Sequence, residues 1–230
     1  HFTRLEFSAD LSRSGIAVSN TSDGVTWGTT HLLEDTPNFA DKETVAHATD
    51  GTMYRAWNSD SRTFDVVIAR ASDGGSTWTS PVRGPDHING TLGAFVAVHP
   101  NGTVLLTWWS YFTNDTWFDR SFDGGVTWHT DVRVNDVPGS ASPPSGEPVV
   151  LPAMAVDAAG AVYVAWTDFR DPSRDGDILF SRSTDTGATW SANLRVNDDS
   201  TSAVQWMPDL AVALDGSVHA AWMDDRTGAH

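Results

Sequence analysis

Short apolar runs alternate with tight-turn dipeptides along the whole chain. Four of these runs end in tryptophan: Met53–Trp57, Val104–Trp108, Val162–Trp166 and Val218–Trp222. Each follows a turn with glycine in second place: Asp50-Gly51, Asn101-Gly102, Ala159-Gly160 or Asp215-Gly216. Such dipeptides between apolar runs predict β-hairpins. No segment has a convincing helical periodicity, so the pattern predicts an all-β chain.

A second signature alternates with the first in constant order. Its copies, called the repeat turns below, carry a glycine and end in Thr-Trp at residues 20–27, 71–78, 121–128 and 183–190. Their tryptophans are 51, 50 and 62 residues apart. One unit therefore has strand A before the glycine turn, strand B ending in tryptophan, strand C before the repeat turn and strand D after it. Four-stranded units of about 50 residues are typical of β-propeller blades.

The repeat predicts a β-propeller of four-stranded antiparallel blades, with about four blades and a partial one. Residues 1–230 then form a single domain or a segment of a larger propeller. The predicted blades cover residues 1–40, 41–91, 92–148, 149–205 and 206–230. Because the first and last apolar runs both read as strand B, we expect missing blades or a ring completed by another chain, since an open blade edge leaves backbone groups unpaired.

The repeat turns have a structural explanation. Glycine supplies a backbone conformation that side chains disfavour, and an aspartate carboxylate can accept hydrogen bonds from the N–H groups of a turn. The tryptophan packs its apolar face into the blade. In the first copy Ser22 stands where the aspartate is expected. The turn aspartates are therefore predicted to be structural rather than catalytic.

This Ser-x-Asp-x-Gly-x-Thr-Trp motif resembles the Asp-box (bacterial neuraminidase) repeat of the sialidase superfamily, over nearly the whole chain. The resemblance implies Asp-box hairpins between strands C and D, and an active site at the opposite end, where the B–C and D–A loops lie. It also implies an arginine cluster, a tyrosine nucleophile assisted by glutamate, and an aspartate acid/base. The early Arg-Ile-Pro tripeptide is absent, and only Tyr111 lies in a loop at that end.

The family often carries its helper glutamate in a Glu-Pro pair that opens strand A. Aligned on the turn glycine, the matching pairs here are Leu151-Pro152 and Met207-Pro208. Glu147-Pro148 lies four residues earlier than the first of these pairs. Glu147 can therefore take the role only if its loop bends toward the site.

A repeated acid and arginine follow strand B at this end: Trp57-x-x-Asp60-x-Arg62, Trp166-x-Asp168-x-Arg170 and Trp222-x-Asp224-x-Arg226. As a functional site they form a ring that binds an acidic sugar or a cation. Asp168, Asp224 and Glu147 are then the candidate catalytic carboxylates, and Arg62, Arg170 and Arg226 the substrate anchors. Alternatively, each pair only orders its own B–C loop. The repetition favours this second interpretation.

Eleven tryptophans occur, of which four belong to repeat turns and four end strand B. The remaining Trp109, Trp117 and Trp206 fall in or beside loops at the candidate end. With Tyr111 they are predicted to bind substrate by stacking on sugar rings. Packing against a neighbouring blade or chain is the alternative interpretation.

The negative charge of the chain restricts the classes of partner that it can bind. A formal net charge of −16 argues against nucleic acid and anionic membranes. Cysteine is absent, so no disulfide is possible. No apolar run reaches the ~18 residues of a membrane helix, so no membrane insertion is expected. No cofactor is required by any motif. Ca²⁺ is a possible ligand of the acidic turns at residues 175–177 and 197–199, although solvated turn acids are the alternative.

Two functions remain open from the sequence. The first is a secreted, sialidase-like propeller that binds or hydrolyses glycans, with carbohydrate as its partner. The second is a non-catalytic extracellular structural or adhesion module that assembles with other chains. The spare loop tryptophans favour the first, and the missing sialidase residues favour the second. Whether the chain is an enzyme is therefore left undecided by the sequence.

Overall fold

The computed structural model describes residues 2–10, 12–36, 40–59, 65–86, 90–138, 151–171 and 173–228. These residues form β-strands and no helix. The strands are β1 (Phe2–Phe7), β2 (Ser14–Ser19), β3 (His31–Thr36), β4 (Ala40–His47), β5 (Met53–Ser59), β6 (Asp65–Ala71), β7 (Val82–Arg83), β8 (Thr91–Val98), β9 (Val104–Ser110), β10 (Thr116–Ser121), β11 (Val132–Arg133), β12 (Ala153–Val156), β13 (Val162–Asp168), β14 (Asp177–Ser183), β15 (Leu194–Arg195), β16 (Gln205–Val212) and β17 (Val218–Asp224).

Consecutive strands pair antiparallel into separate sheets. Three sheets have four strands, namely β4–β7, β8–β11 and β12–β15, while β1–β3 form a three-stranded sheet and β16–β17 a two-stranded one. The opening strands of successive sheets contact one another, β4 with β8, β8 with β12 and β12 with β16. These sheets confirm the predicted all-β class and its four-stranded antiparallel unit.

The second strand of each four-stranded sheet is buried on both faces. Every residue of β5, β9 and β13 is buried, and Trp57, Trp108 and Trp166 are at most 1% exposed. A strand covered on both faces needs a nearly continuous apolar run, which explains why these strands lack strict alternation. Apolar clusters fill the spaces between neighbouring sheets, so the core is divided among the interfaces.

The repeat turns are closed by their aspartates. Asp73, Asp123 and Asp185 each accept a hydrogen bond from the backbone N–H four residues later, at 3.0, 2.9 and 2.9 Å. In the first turn Asp23, one position after Ser22, accepts from Val25 and Thr26 at 2.8 and 2.7 Å. The carboxylates of all four turns are thus used within the turns, at the end of the sheets opposite the B–C loops.

Candidate functional site

A cavity of about 270 Å³ lies where the opening strands of three sheets begin. It is lined by Asp41, Lys42, Glu43 and Thr44 from β4, by Gly93, Ala94 and Phe95 from β8, and by Leu151 and Pro152 just before β12. These positions are at the end of the sheets that carries the B–C and D–A loops. The cavity is therefore at the end that the sequence predicts for a site, next to the contacts between β4, β8 and β12.

The lining residues come from a repeated irregularity in the opening strands. The strand pairing shifts register between Asp41 and Thr44 in β4, between Leu92 and Phe95 in β8, and between Trp206 and Asp209 in β16. Each shift contains one residue in the left-handed region: Lys42 at φ 59°, Gly93 at φ 70° and Met207 at φ 51°. Bulges of this kind redirect side chains out of the pleat.

Lys42 and Met207 are notable because a side chain disfavours a positive φ, and such residues cluster at functional sites. Lys42, Gly93 and Met207 stand nine residues before the glycine of their A–B turns, and Leu151 occupies the same position before Gly160. The residue nine positions before the turn glycine thus lies in the opening strand, or just before it in the case of Leu151, and Lys42, Gly93 and Leu151 all line the cavity.

The polar wall of the cavity carries two carboxylates and one ammonium group. Lys42 donates from its backbone N–H to Asp41 Oδ1 at 2.8 Å, and its Nζ lies 3.0 Å from Asp41 Oδ2. The side chains of Lys42 and Asp41 are 33% and 16% exposed. Glu43 has no hydrogen bond or ion pair within the described part of the chain. The wall therefore holds one carboxylate that is ion-paired with Lys42 and a second, Glu43, whose charge interacts with that of the buried Arg55.

Two side chains fix the cavity by joining neighbouring sheets. Thr44 Oγ1 donates to the Ala94 carbonyl at 3.1 Å and accepts from Val96 N–H at 3.1 Å. Asn58, 1% exposed at the end of β5, donates to the Thr91 carbonyl at 3.0 Å and accepts from Gly93 N–H at 2.8 Å. Because β4 and β8 belong to separate sheets that share no strand ladder, these bonds set how the two strands approach each other.

The opposite wall of the cavity is apolar. Phe95, Leu151 and Pro152 line it, and a Cβ added to Gly93 would lie 3.2 Å from Leu151 Cα. Gly93 thus lets two opening strands approach more closely than a side chain would allow. The cavity has hydrogen-bonding groups on one side and carbon surface on the other.

Asp168, a predicted catalytic acid, is engaged by its own arginine. Arg170 Nε and Nη2 donate to the two Asp168 oxygens at 2.8 and 2.9 Å, and Trp166 Nε1 donates to Oδ2 at 3.0 Å. Arg170 also donates to Asp136 Oδ1 of the preceding sheet at 2.7 Å. Although burial opposes its charge, the bonds to these two aspartates raise the pKa of Arg170.

Asp224, the second predicted acid, is also paired with the arginine two residues later, although Trp222 Nε1 donates to Gln205 Oε1 instead of to the acid. Arg226 Nε donates to Asp224 Oδ2 at 2.6 Å, and Arg226 Nη1 reaches Asp198 Oδ1 of the preceding sheet at 2.9 Å. The bond from Arg226 holds the pKa of Asp224 well below its ordinary range. A carboxylate held in its ionised form is a poor general acid. The two Asp–Arg pairs thus join neighbouring sheets, and the third acid, Glu147, and Arg62 lie outside the described residues.

The predicted aromatic residues lie in different surroundings. Trp109 is 6% exposed and meets Tyr111 edge-on at 4.9 Å between ring centroids. Trp117 is half-buried and donates to Thr113 Oγ1 at 3.2 Å, and Trp206 is half-buried in the bulge of β16. Tyr111 is 45% exposed, and burial together with the negative charge of Asp41 raises its pKa. Tyr111 thus interacts electrostatically with Asp41, a residue of the cavity lining.

The acidic turns proposed for Ca²⁺ are bound by protein groups. Asp177 Oδ1 accepts from Arg174 and Asn197, both at 2.8 Å, and Asp199 Oδ1 accepts from the same two residues at 3.1 and 2.8 Å. Among the residues that the structure describes, no group of three acidic or histidine side chains is arranged to hold a metal ion. Within these residues there is also no helix with the length and apolar character to cross a membrane.

Asp41, Lys42 and Glu43 were not singled out from the sequence, although they lie in the predicted loop end. Two signals point to them. The nine-residue spacing to the turn glycine aligns Lys42 with Leu151 and Met207, and Lys42 is the sole lysine of the chain. The bulge that turns these side chains into the cavity has no sequence signature, because neither Lys42 nor Met207 is a residue that favours positive φ.

No family model and no curated protein matches the sequence. Solved structures do match, among them a Dyadobacter fermentans protein of unknown function, with 18% identity over 91% of this chain and 64% of that chain and a TM-score of 0.63. The Penicillium chrysogenum α-L-arabinanase complexed with arabinobiose has 20% identity over 78% of this chain and 56% of its own, with a TM-score of 0.62. The leech intramolecular trans-sialidase complexed with 2,7-anhydro-Neu5Ac has 17% identity over 92% and 33%, with a TM-score of 0.64.

These likenesses show the fold. Arabinanase and sialidase neighbours are β-propeller enzymes, so the described sheets are blades of a β-propeller. The chain spans less than two thirds of the length of each of these three structures.

Proposed function

We propose that this protein is a secreted, glycan-acting propeller that holds a sugar in the cavity at the start of β4, β8 and β12. The observation that carries the proposal is the two-sided lining of this cavity. Asp41, Glu43 and Thr44 offer hydrogen-bond partners to sugar hydroxyls, while Phe95 and Pro152 offer carbon surface to the C–H face of a sugar ring. Binding sites generally combine such an apolar wall with a few placed polar groups.

The neighbours support this proposal by analogy of fold. Their printed names describe an arabinanase with arabinobiose and a trans-sialidase with a sialic-acid derivative. A propeller scaffold does not itself specify a reaction. The cavity chemistry of this chain therefore carries the proposal, and the neighbours show that the scaffold accommodates glycan chemistry. We also propose that the repeat turns are Asp-box motifs of the kind found in the sialidase superfamily.

Asp41 and Glu43 supply the pair of carboxylates that glycoside hydrolysis needs. Asp41, which is ion-paired with Lys42, supplies one carboxylate of the pair. Glu43 supplies the second carboxylate for acid–base catalysis, and its charge interacts with that of the buried Arg55. We propose these two residues as the catalytic pair.

The test measures binding and hydrolysis on the same glycans. A glycan array identifies ligands, and reducing-sugar release measures turnover for wild type, Asp41→Asn, Glu43→Gln and the control Asp175→Asn. Asp175 is an exposed acid in a B–C loop, outside the cavity lining. We expect Glu43→Gln to lower turnover by about 10²–10⁴-fold, as for loss of a general acid or base, and Asp175→Asn to leave it unchanged.

A different result locates the function elsewhere. Loss of activity in Asp224→Asn with normal activity in Glu43→Gln would return the site to the residues predicted from sequence, Asp168, Asp224 and Glu147 with Arg62, Arg170 and Arg226. Loss of array binding in a Trp117→Ala, Trp206→Ala variant would instead support the aromatic set with Trp109 and Tyr111. A folded chain that binds no glycan would favour the adhesion module that assembles with other chains. We propose no cofactor requirement, so removal of Ca²⁺ by EDTA should leave binding unchanged.

A further inference from the structure

We infer that the cavity selects neutral glycans and excludes acidic ones; this inference rests on the proposed function. The first observation is the charge of the lining. The charged residues of the lining are two carboxylates, Asp41 and Glu43, and one cation, Lys42, while Arg55, which interacts with Glu43, is buried behind the lining. A bound carboxylate would therefore enter a cavity that is already negative, in a molecule with a formal net charge of −16.

The second observation is that the one cation of the lining already has a partner. Lys42 Nζ lies 3.0 Å from Asp41 Oδ2, and the two side chains are only 33% and 16% exposed. A sugar carboxylate would have to displace Asp41 from this pair and leave the Asp41 charge partly buried without a partner. Unpaired buried charges are strongly unfavourable.

The third observation is that arginine is absent from the described lining of the cavity. Arginine is the side chain best suited to bind a carboxylate, because its fork donates two parallel hydrogen bonds. Five arginines elsewhere in the described structure form ion pairs with aspartate, namely Arg13, Arg83, Arg170, Arg174 and Arg226. Arg55, whose charge interacts with that of Glu43, is fully buried and does not line the cavity.

Two further arginines are also held away from the cavity. Arg70 and Arg120 donate to repeat-turn carbonyls of the following sheet, Gly124 and Thr186, each at 3.1 Å. These bonds lie at the opposite end of the sheets. Binding an acidic sugar through either arginine would require the contact between two blades to open.

Neutral sugars meet none of these obstacles. Their hydroxyls can donate to the Glu43 carboxylate and accept from Thr44 or Lys42, while a ring face packs on Phe95 and Pro152. The ring faces of sugars are rich in C–H groups, which match this carbon surface. The cavity therefore suits a neutral pentose or hexose unit.

The test compares glycans that differ by one charge. Oligogalacturonides and their methyl esters share a backbone, as do lactose and 3′-sialyllactose, and an array adds other neutral and acidic glycans. We expect neutral members to bind, and each acidic partner to bind at least about tenfold more weakly at low salt. The ratio of acidic to neutral binding should rise with ionic strength, because salt screens the repulsion.

Variants separate the electrostatic explanation from a steric one. Glu43→Gln preserves shape and removes one negative charge, so the ratio of acidic to neutral binding should rise about tenfold. Asp175→Asn, the exposed control, should leave the ratio unchanged. A ratio that stays constant in Glu43→Gln would overturn the electrostatic selection.

The remaining outcomes are also decisive. Acidic glycans that bind the wild type as tightly as neutral ones would overturn this inference and leave the proposed glycan function intact. Loss of such binding in Arg62→Ala would identify the anchor responsible. If no glycan of either class binds, both the inference and the proposed function are wrong.

Discussion

Asp119 is a buried acid that belongs neither to the repeat turns nor to the lining of the cavity. It lies in β10 at 0% exposure, and its Oδ1 accepts the Arg120 N–H at 2.7 Å. Its Oδ2 has no hydrogen-bond partner among the described residues. Burial raises the pKa of Asp119 to about 8, and the negative charges of Asp131 and Asp86 act in the same direction.

The sign of the pH dependence follows from this raised pKa. Between about pH 4 and pH 8 the folded protein keeps the proton of Asp119, while the unfolded chain releases it. The contribution of Asp119 to the free energy of unfolding is therefore most favourable below pH 4. It declines as the pH rises and becomes constant above pH 8.

Replacing Asp119 with serine tests this dependence. Ser181 holds the corresponding position in β14 and donates to the Ser191 carbonyl at 2.8 Å, so the substitution has a working precedent in the next blade. Asp119→Ser should raise the free energy of unfolding at pH 8 by about 1–3 kcal/mol, the typical cost of an unsatisfied buried polar group. Urea unfolding at pH 5 and pH 8 measures it. An equal decline with pH in wild type and variant would contradict the role of Asp119.

At the scale of elements, Gly93 controls the approach of β8 to the segment before β12. Gly93→Ala introduces a Cβ at φ 70° and 3.2 Å from Leu151 Cα. We expect a loss of about 1–3 kcal/mol in the free energy of unfolding from the strained backbone, with additional loss from the clash. Glycan affinity should fall too, because both residues line the cavity.

Gly102→Ala is the matched control for this change. Gly102 lies in the turn that follows β8, at φ 90°, and an added Cβ would meet nothing within 4 Å. The Gly102→Ala variant therefore has the strain of an alanine at positive φ but no steric clash. Thermal unfolding of the two variants should show the larger loss in Gly93→Ala, and only that variant should lose glycan affinity. Equal losses would show that contact with Leu151 is unimportant.

The Asp–Arg pairs make a second prediction about elements. Arg170→Ala leaves Asp168, whose side chain is 4% exposed, without its cation, so we expect a loss of about 3–5 kcal/mol. Arg226→Ala removes the equivalent group from a more exposed pair, in which the Arg226 and Asp224 side chains are 35% and 22% exposed, and should cost less. Chemical denaturation of both variants measures the difference. Similar losses would mean that burial does not govern these pairs.

The same elements show what the sequence can predict. The turn dipeptides and tryptophans locate the strands, because hairpin geometry and burial impose local residue requirements. The partner of Arg170 was not predicted, since Asp136 lies 34 residues earlier in another sheet. Its signal is the run Arg-Val-Asn-Asp at residues 133–136, which recurs at 195–198 and ends in Asp198, the partner of Arg226. The bulge at Lys42 has no such signal, because it depends on tertiary contacts between strands.

For the whole molecule, charge and stability are linked. The formal net charge of −16 causes repulsion among the surface acids. This repulsion is stronger in the compact folded state than in the unfolded chain, so it lowers the free energy of unfolding. Salt screens this repulsion, and it also weakens the ion pairs between blades. The Asp168–Arg170 pair is largely buried and is therefore screened less than the dispersed surface acids. At neutral pH, the stabilisation that salt provides by screening the repulsion should exceed the destabilisation that it causes by weakening the ion pairs.

We therefore expect the melting temperature at pH 7.5 to rise by a few degrees between about 10 mM and 0.5 M NaCl, the range over which the Debye length falls from about 30 Å to a few ångströms. Calorimetry at both salt concentrations measures the shift. The same series near pH 4.5, the isoelectric point, is the control, and its shift should be small because the net charge is near zero. A melting temperature that falls with salt at pH 7.5 would show instead that the ion pairs between blades outweigh the repulsion among surface aspartates.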